Sequence, residues 1–212
     1  MKKPVVLLGS GGHAKVLLGI LQRCGYEITG VTDPARVPGS DWLGCRVLGG
    51  DEAVRRFEPD QVLLVNGIGS LPRDGRIRTK VFDDFSAVGY RFQTLLDPAA
   101  FVADQVRLAG GVQVMAGAVI QVGVLIAENC IVNSGAIIDH ECRIGRHVHI
   151  APGAVLSGGV EVGDGVHIGT GAVVIQGIRI GAGSIVGAGS VVTKDVSARQ
   201  IVYPARSQIQ DL

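Results

Sequence analysis

From Val102 to Val192 every sixth residue is a branched aliphatic: Val102, Leu108, Val114, Ile120, Ile126, Val132, Ile138, Ile144, Ile150, Leu156, Val162, Ile168, Val174, Ile180, Val186 and Val192. These sixteen anchors follow one another without a break in phase. Two positions before each anchor the side chain is again small or aliphatic, as at Val106, Val112, Ala118, Cys130, Ala136, Cys142 and Val148. A strand alternates faces with period two, so each anchor and the residue two before it point the same way, inward. The residues immediately before and after the anchor then point outward, and the second and third after it must turn a corner. Gly stands at that third position in eleven of the sixteen repeats, as a corner needing positive φ favours. The pattern predicts a parallel β-helix in which three six-residue sides close one 18-residue turn. Successive turns should stack about 4.8 Å apart.

Before Val102 the pattern is different. "PVVLLGSGGHAKVLLGILQRCGY" reads as a buried strand over Pro4–Leu8, a glycine turn, and a helix to Cys24. The strand "EITGVTD" follows, then "CRVLG", a short helix "DEAVRRF", the strand "QVLLVN", a helix around "RDGRIRTKVFDDFSAVG" and the strand "RFQTLL". This alternation predicts an α/β, Rossmann-like half domain over residues 1–97. The β-helix then covers 98–198, and 199–212 form a C-terminal tail. Gly9, Gly11 and Ala14 fit the G-x-G-x-x-[G/A] fingerprint, and Asp33 closes the next strand 22 residues after Gly11. Glycines let backbone approach a diphosphate set against a helix N-terminus, and the acid suits sugar hydroxyls. Half a dinucleotide domain fits a mononucleotide diphosphate better than a dinucleotide. His13 and Lys15, in the first helical turn, are candidates for touching its phosphates or the attached group.

Composition narrows the class. There are 32 glycines but one Trp, five Phe and three Tyr, while 47% of residues are hydrophobic, so the core is narrow and repetitive rather than absent. Twenty Lys and Arg against nineteen Asp and Glu give no electrostatic case for nucleic acid or an anionic membrane as partner. Cys24, Cys45, Cys130 and Cys142 form no CxxC or disulfide framework, and the N-terminus has neither a signal-peptide core nor a spanning run. The expectation is a reduced, cytoplasmic protein.

Against so bland a background "DHECRIGRHVH" collects three of the five histidines. The third-position corners without Gly are Gln105, Asn129, Glu141, His147 and Asp195. Asn, Asp and His tolerate left-handed backbone, whereas Glu141 has no such reason to be there. His140 projects from the same corner with Asp139 pointing outward beside it. An imidazole bracketed by carboxylates has the tautomer and basicity of a general base, although a solvated polar corner would look the same. His149 and His167 lie 18 residues apart, hence one above the other on the same side. Thr170 and Ala188 stack at the corner that follows. Such a column is a plausible seat for an elongated ligand, or ordinary exposed surface. His147, at a corner, reads as a glycine substitute rather than a catalyst. Positions 140, 147, 149 and 167 contain no HxxxH pair, so no metal is expected. Cys130 and Cys142 face inward, so neither is placed as a nucleophile.

The repeat resembles that of the hexapeptide-repeat acyltransferases, whose coil is a left-handed β-helix and whose members are usually trimers with active sites between subunits. The glycine turn with Gly11, Gly12 and His13, the closing Asp33 and "NSGAIIDHECRIG" together resemble the bacterial nucleotide-sugar and sialic-acid acetyltransferases, nearest to the bacillosamine N-acetyltransferase type. That resemblance implies acetyl-CoA as co-substrate and His140 as general base, with Glu141 raising its basicity. It implies that His149 contacts acetyl-CoA, that Gly158, Thr170 and Ala188 line the pantetheine groove, and that the glycine turn, His13 and Asp33 hold the nucleotide. Family members often carry a second acid after the Asp, where this chain has Pro34, so the nucleotide's identity stays open. The implied function is N-acetylation of a nucleotide-linked amino sugar, such as a 4-amino-4,6-dideoxyhexose, for a bacterial surface glycan such as lipopolysaccharide. O-acetylation of sialic acid, a trimeric binding module without catalysis, and a metal-dependent hydratase are the alternatives.

Overall fold

The computed structural model describes residues 3–72 and 75–205. β1 (Val5–Leu8) is buried along its whole length, which is why it reads as a continuous apolar run. α1 (Gly12–Arg23) lays Ala14, Leu17, Leu18 and Leu21 against the sheet, at helical spacing. β2 (Ile28–Thr32), β3 (Asp41–Trp42), β4 (Cys45–Gly49) and β5 (Leu63–Asn66) complete a sheet in the order β3-β4-β2-β1-β5. It is parallel except for the β3–β4 pair. "DEAVRR" forms a 3₁₀ turn, and α2 (Arg76–Ala87) follows β5. Part of the last predicted helix, Arg73 and Asp74, lies outside the described residues.

"RFQTLL" is not a strand of this sheet. Phe92 makes a single bridge to Leu64, and Leu95–Leu96 pair with Gln113–Val114 as the first rung of the coil. The six-residue rhythm explains the difference, because Leu96 stands one step before Val102.

The coil has three parallel sheets, one per side. Fourteen of the sixteen third-position corners have positive φ: the eleven glycines together with Asn129, Glu141 and His147. Gln105 and Asp195, near the two ends, do not. The last rung, Ile201–Val202, pairs with Ile185–Val186 at an offset of 16 rather than 18 residues. Inside, each anchor stacks on its equivalent one turn away, from Val114 to Val186, in one dry cluster.

The three sides differ on the outside. The first carries Phe101, Val119, Ile137, Val155, Val173 and Val191 in one register column, every residue apolar. The second carries Arg107, Leu125, Arg143, Glu161 and Arg179. The third is covered by the α/β unit: Met115 and Ile131 join the cluster of Leu17 and Leu21, and Gly111 leaves room for Phe82. Polar groups bridge the same contact. Buried Arg78 donates to the carbonyls of Asn66 and Ile68, and Asn66 Nδ2 to Asn129 Oδ1. Among the described residues no helix is long and apolar enough to cross a membrane.

Candidate active site

His140 sits on the corner between the first and second sides, and the coil fixes what surrounds it. Asp139 Oδ1 accepts from the His140 backbone N–H at 2.7 Å, so this carboxylate shapes the corner rather than touching the ring. Glu141 Oε2 lies 3.4 Å from His140 Nδ1. One turn on, Gly158 occupies the same corner position. A Cβ there would stand 2.5 Å from His140 Cε1 and Nε2, so this edge of the imidazole occupies the space that glycine leaves. Gly158 does not have positive φ; it is glycine for room, not for conformation.

Glu141 has φ +60°, in the left-handed region that costs a non-glycine residue about 1–2 kcal/mol. Its corner equivalents, Gly123 and Gly159, have no such cost. Glu141→Gly is therefore expected to stabilise the fold by about 1 kcal/mol after glycine's own entropy is counted. The same change removes the carboxylate facing His140. A higher melting midpoint alongside slower turnover is the outcome to look for; a lower midpoint would show that the carboxylate supports the fold.

On the third side, His149 Nδ1 lies 2.8 Å from the Ser70 carbonyl, which can only accept, so Nδ1 carries the proton. Nε2 then accepts from Asn133 Nδ2 at 3.2 Å, and Asn133 Oδ1 takes the Ser134 N–H. His167 packs edge-on against His149, with ring centroids 4.8 Å apart and a buried Nδ1 that has no hydrogen-bond partner among the described residues. Thr170 and Ala188 are exposed on the following corner. His147 belongs to the contact with the α/β unit, bonded to Asn129 and edge-on to Phe82.

At the other end of the chain, Ser10 donates to Asp33 Oδ2 and accepts from Arg36 Nε at 2.6 Å. That bond from Ser10 holds the Asp33 carboxyl below its ordinary range. Gly11 and Gly12 are exposed at the start of α1, and Pro34 is exposed beside Asp33. His13 Nε2 meets Gln113 Oε1 at 2.7 Å, while Gln113 Nε2 donates to the Asn66 carbonyl. The composition of the glycine turn indicates a ligand, but nothing local in the sequence marks Gln113, a hundred residues away, as the partner of His13.

Burial lowers the pKa of both His13 and His149 to about 4. The unfolded chain takes up these protons near pH 6.5 and the folded chain does not. The stabilisation is thus fully present above pH 6.5 and is lost as pH falls toward 4, by about 3 kcal/mol per histidine. Urea midpoints are expected to drop steadily across that window, with a flatter profile for His149→Gln; an unchanged slope would place the destabilising groups elsewhere.

Among the described residues no hydrogen bond or ion pair joins His140 to His149 or to the turn with Asp33. His140 stands on the corner that leaves the apolar first side, whereas His149 lies on the third side, and the turn with Asp33 lies in the α/β unit. Burial raises the Cys130 thiol to about 12 and also raises Cys142, which leaves neither a ready nucleophile. Among the described residues no group of three or more His, Cys, Asp or Glu is placed to hold a metal.

Comparisons with known proteins match both halves of the chain. The family described as PglD N-terminal domain matches residues 4–85. That described as bacterial transferase hexapeptide (six repeats) matches 123–158 and 159–194, and its coil is the left-handed β-helix. Perosamine N-acetyltransferase from Caulobacter crescentus, solved with CoA and GDP-perosamine, is 38% identical over 93% of this chain and 92% of its own, with a TM-score of 0.85. The acetyltransferase domain of PglB from Neisseria gonorrhoeae, solved with acetyl coenzyme A, is 31% identical over 98% and 100%, with a TM-score of 0.88. A comparison with curated protein sequences gave no match.

Proposed function

We infer that this chain, which belongs to the hexapeptide-repeat acetyltransferases with a PglD-type N-terminal domain, transfers the acetyl group of acetyl-CoA to the amino group of a nucleotide-linked amino sugar. The sugar class that fits best is a 4-amino-4,6-dideoxyhexose, made for a bacterial surface glycan. The observation that carries the reading is the His140 corner: an imidazole with Nδ1 toward Glu141, packed on Gly158. The Glu141 carboxylate favours the Nδ1–H tautomer, leaving the Nε2 lone pair to accept a proton.

The neutral amine attacks the thioester carbonyl carbon. As the N–C bond forms, His140 Nε2 takes the amine's proton, and Glu141 stabilises the imidazolium. The carbonyl oxygen becomes an oxyanion, for which the Gly158 N–H is a candidate donor, having no acceptor among the described residues. The intermediate collapses with loss of the C–S bond, and the CoA thiolate receives the proton from His140. Asp139 keeps the corner's backbone in place.

The active site is assembled between copies in a homotrimer. The apolar first side ends at the His140 corner, and Phe101 and Val191 on it are 55% and 62% exposed. A face of this kind, six rungs long, marks an interface. Packing it against two other copies brings the His140 and Gly158 corner of one subunit to the Thr170 and Ala188 corner, and His149, of its neighbour. Acetyl-CoA lies in that cleft. The neighbour's glycine turn, with Gly11, Gly12, His13 and Asp33, carries the nucleotide. Release of CoA thiol with GDP-, UDP- and dTDP-linked amino sugars, against free sialic acid, tests the reading; turnover of sialic acid alone would replace it by O-acetylation.

A further inference from the structure

Two glycines have no reason inside the protein to be glycine. Gly11 has φ −77°, and no heavy atom lies within 4 Å of a Cβ built on Gly11 or Gly12. Gly9 differs, with φ +85°, and so does Gly67, whose Cβ would stand 2.6 Å from the Leu8 carbonyl. The space left by Gly11 and Gly12 lies before the N-terminus of α1, which has no side-chain cap and no acid in its first turn. Backbone N–H groups and the positive end of the helix therefore face that space.

An anion there needs a cation, and His13 does not supply one. Its Nε2 must donate to Gln113 Oε1, because the amide nitrogen of Gln113 is committed to the Asn66 carbonyl. The ring is neutral at pH 7, with a pKa of about 4, and offers a lone pair at Nδ1. That atom suits an N–H or O–H of the substrate and repels phosphate oxygens.

Resting on the function inferred above, we propose that Arg36 grips the diphosphate of the nucleotide-linked substrate, its guanidinium held beside the glycine turn by Ser10. Nε is committed to Ser10 Oγ, and Ser10 is only 6% exposed and is itself anchored on Asp33. Asp33 is also tied to the Ala35 N–H at 2.9 Å, so the loop carrying Arg36 is braced at both ends. Among the described residues the two terminal nitrogens of Arg36 have no hydrogen-bond partner and no carboxylate oxygen within 4.0 Å, although the guanidinium and Asp33 attract each other at longer range. A planar fork with both ends free and its stem fixed matches a diphosphate as a lysine does not. Pro34 adds no charge of its own, so the cation is not offset by a second acid next to Asp33.

Calorimetry with GDP, UDP and dTDP, and with the three nucleosides, tests this in the wild-type protein and in Arg36→Gln, Arg36→Lys and Lys15→Gln. Arg36→Gln should weaken the tightest diphosphate by about 10- to 100-fold, the loss of charge-assisted bonds, and leave its nucleoside within about twofold. Arg36→Lys should recover only part of that loss, and Lys15→Gln should cost less than Arg36→Gln. Equal losses for diphosphate and nucleoside would make Arg36 a brace for Asp33 and overturn the proposal. So would an unchanged diphosphate affinity, or a larger loss in Lys15→Gln. A wild-type protein that binds none of the three diphosphates would instead overturn the functional reading, and this proposal with it.

Discussion

Replacing His140 by Asn lowers kcat by about 10²–10⁴-fold, the usual contribution of a positioned general base. Asn keeps the polar corner and fits over Gly158, so the far-ultraviolet spectrum, the melting midpoint and the oligomeric state should match wild type. Binding of acetyl-CoA should hold within a few-fold, because the Thr170 and Ala188 corner is untouched. A variant with full kcat at neutral pH would remove His140 from the chemistry and leave the Glu141 corner without an explanation.

Val173→Arg should have an effect of similar size from a residue that touches no substrate. Val173 is the fifth of the six residues in the first side's column, in register with Val155 and Val191. Three-fold packing would bury three guanidinium groups against apolar neighbours, at several kcal/mol each unless paired. The expected result is a folded monomer by light scattering, with activity near background because the proposed site needs two subunits. Unaltered circular dichroism separates this from unfolding: the side chain points outward, away from the dry core. A fully active monomer would sink the intersubunit site; a trimer that persists would move the interface to another side.

Much of the fold is legible in the chain because one physical rule is repeated sixteen times. An inward branched residue every six positions and a left-handed corner three later specify the coil almost completely, including which glycines are there for φ. Legibility fails where the rule is local and the answer is not. "RFQTLL" has strand composition in either setting, and only the tie between Leu96 and the six-residue rhythm assigns it to the coil. Asp139 and Glu141 flank His140 symmetrically in sequence. The corner separates them, because one carboxylate turns back onto the backbone N–H and the other reaches the ring. On the third side, the outward positions beneath the α/β unit do not face solvent: Gln113 and Ile131 are buried by it. The partners of His13 and His149 are set by that tertiary contact, so no spacing in the sequence announces Gln113, Ser70 or Asn133. Arg36 was hidden for another reason. An arginine three residues after an acid looks like solvated loop until Ser10 is seen to join them.

The imidazole of His140 rests on a residue one full turn further along the β-helix, so the proposed base is encoded by a pair of positions, n and n+18. A relative that keeps the histidine but carries alanine or anything larger at the second position has its ring tilted off this seat, whatever its motif looks like. Reading the two together offers a way to sort working enzymes from silent ones in this fold, and a designer moving the base to another rung would have to transplant the vacancy along with it.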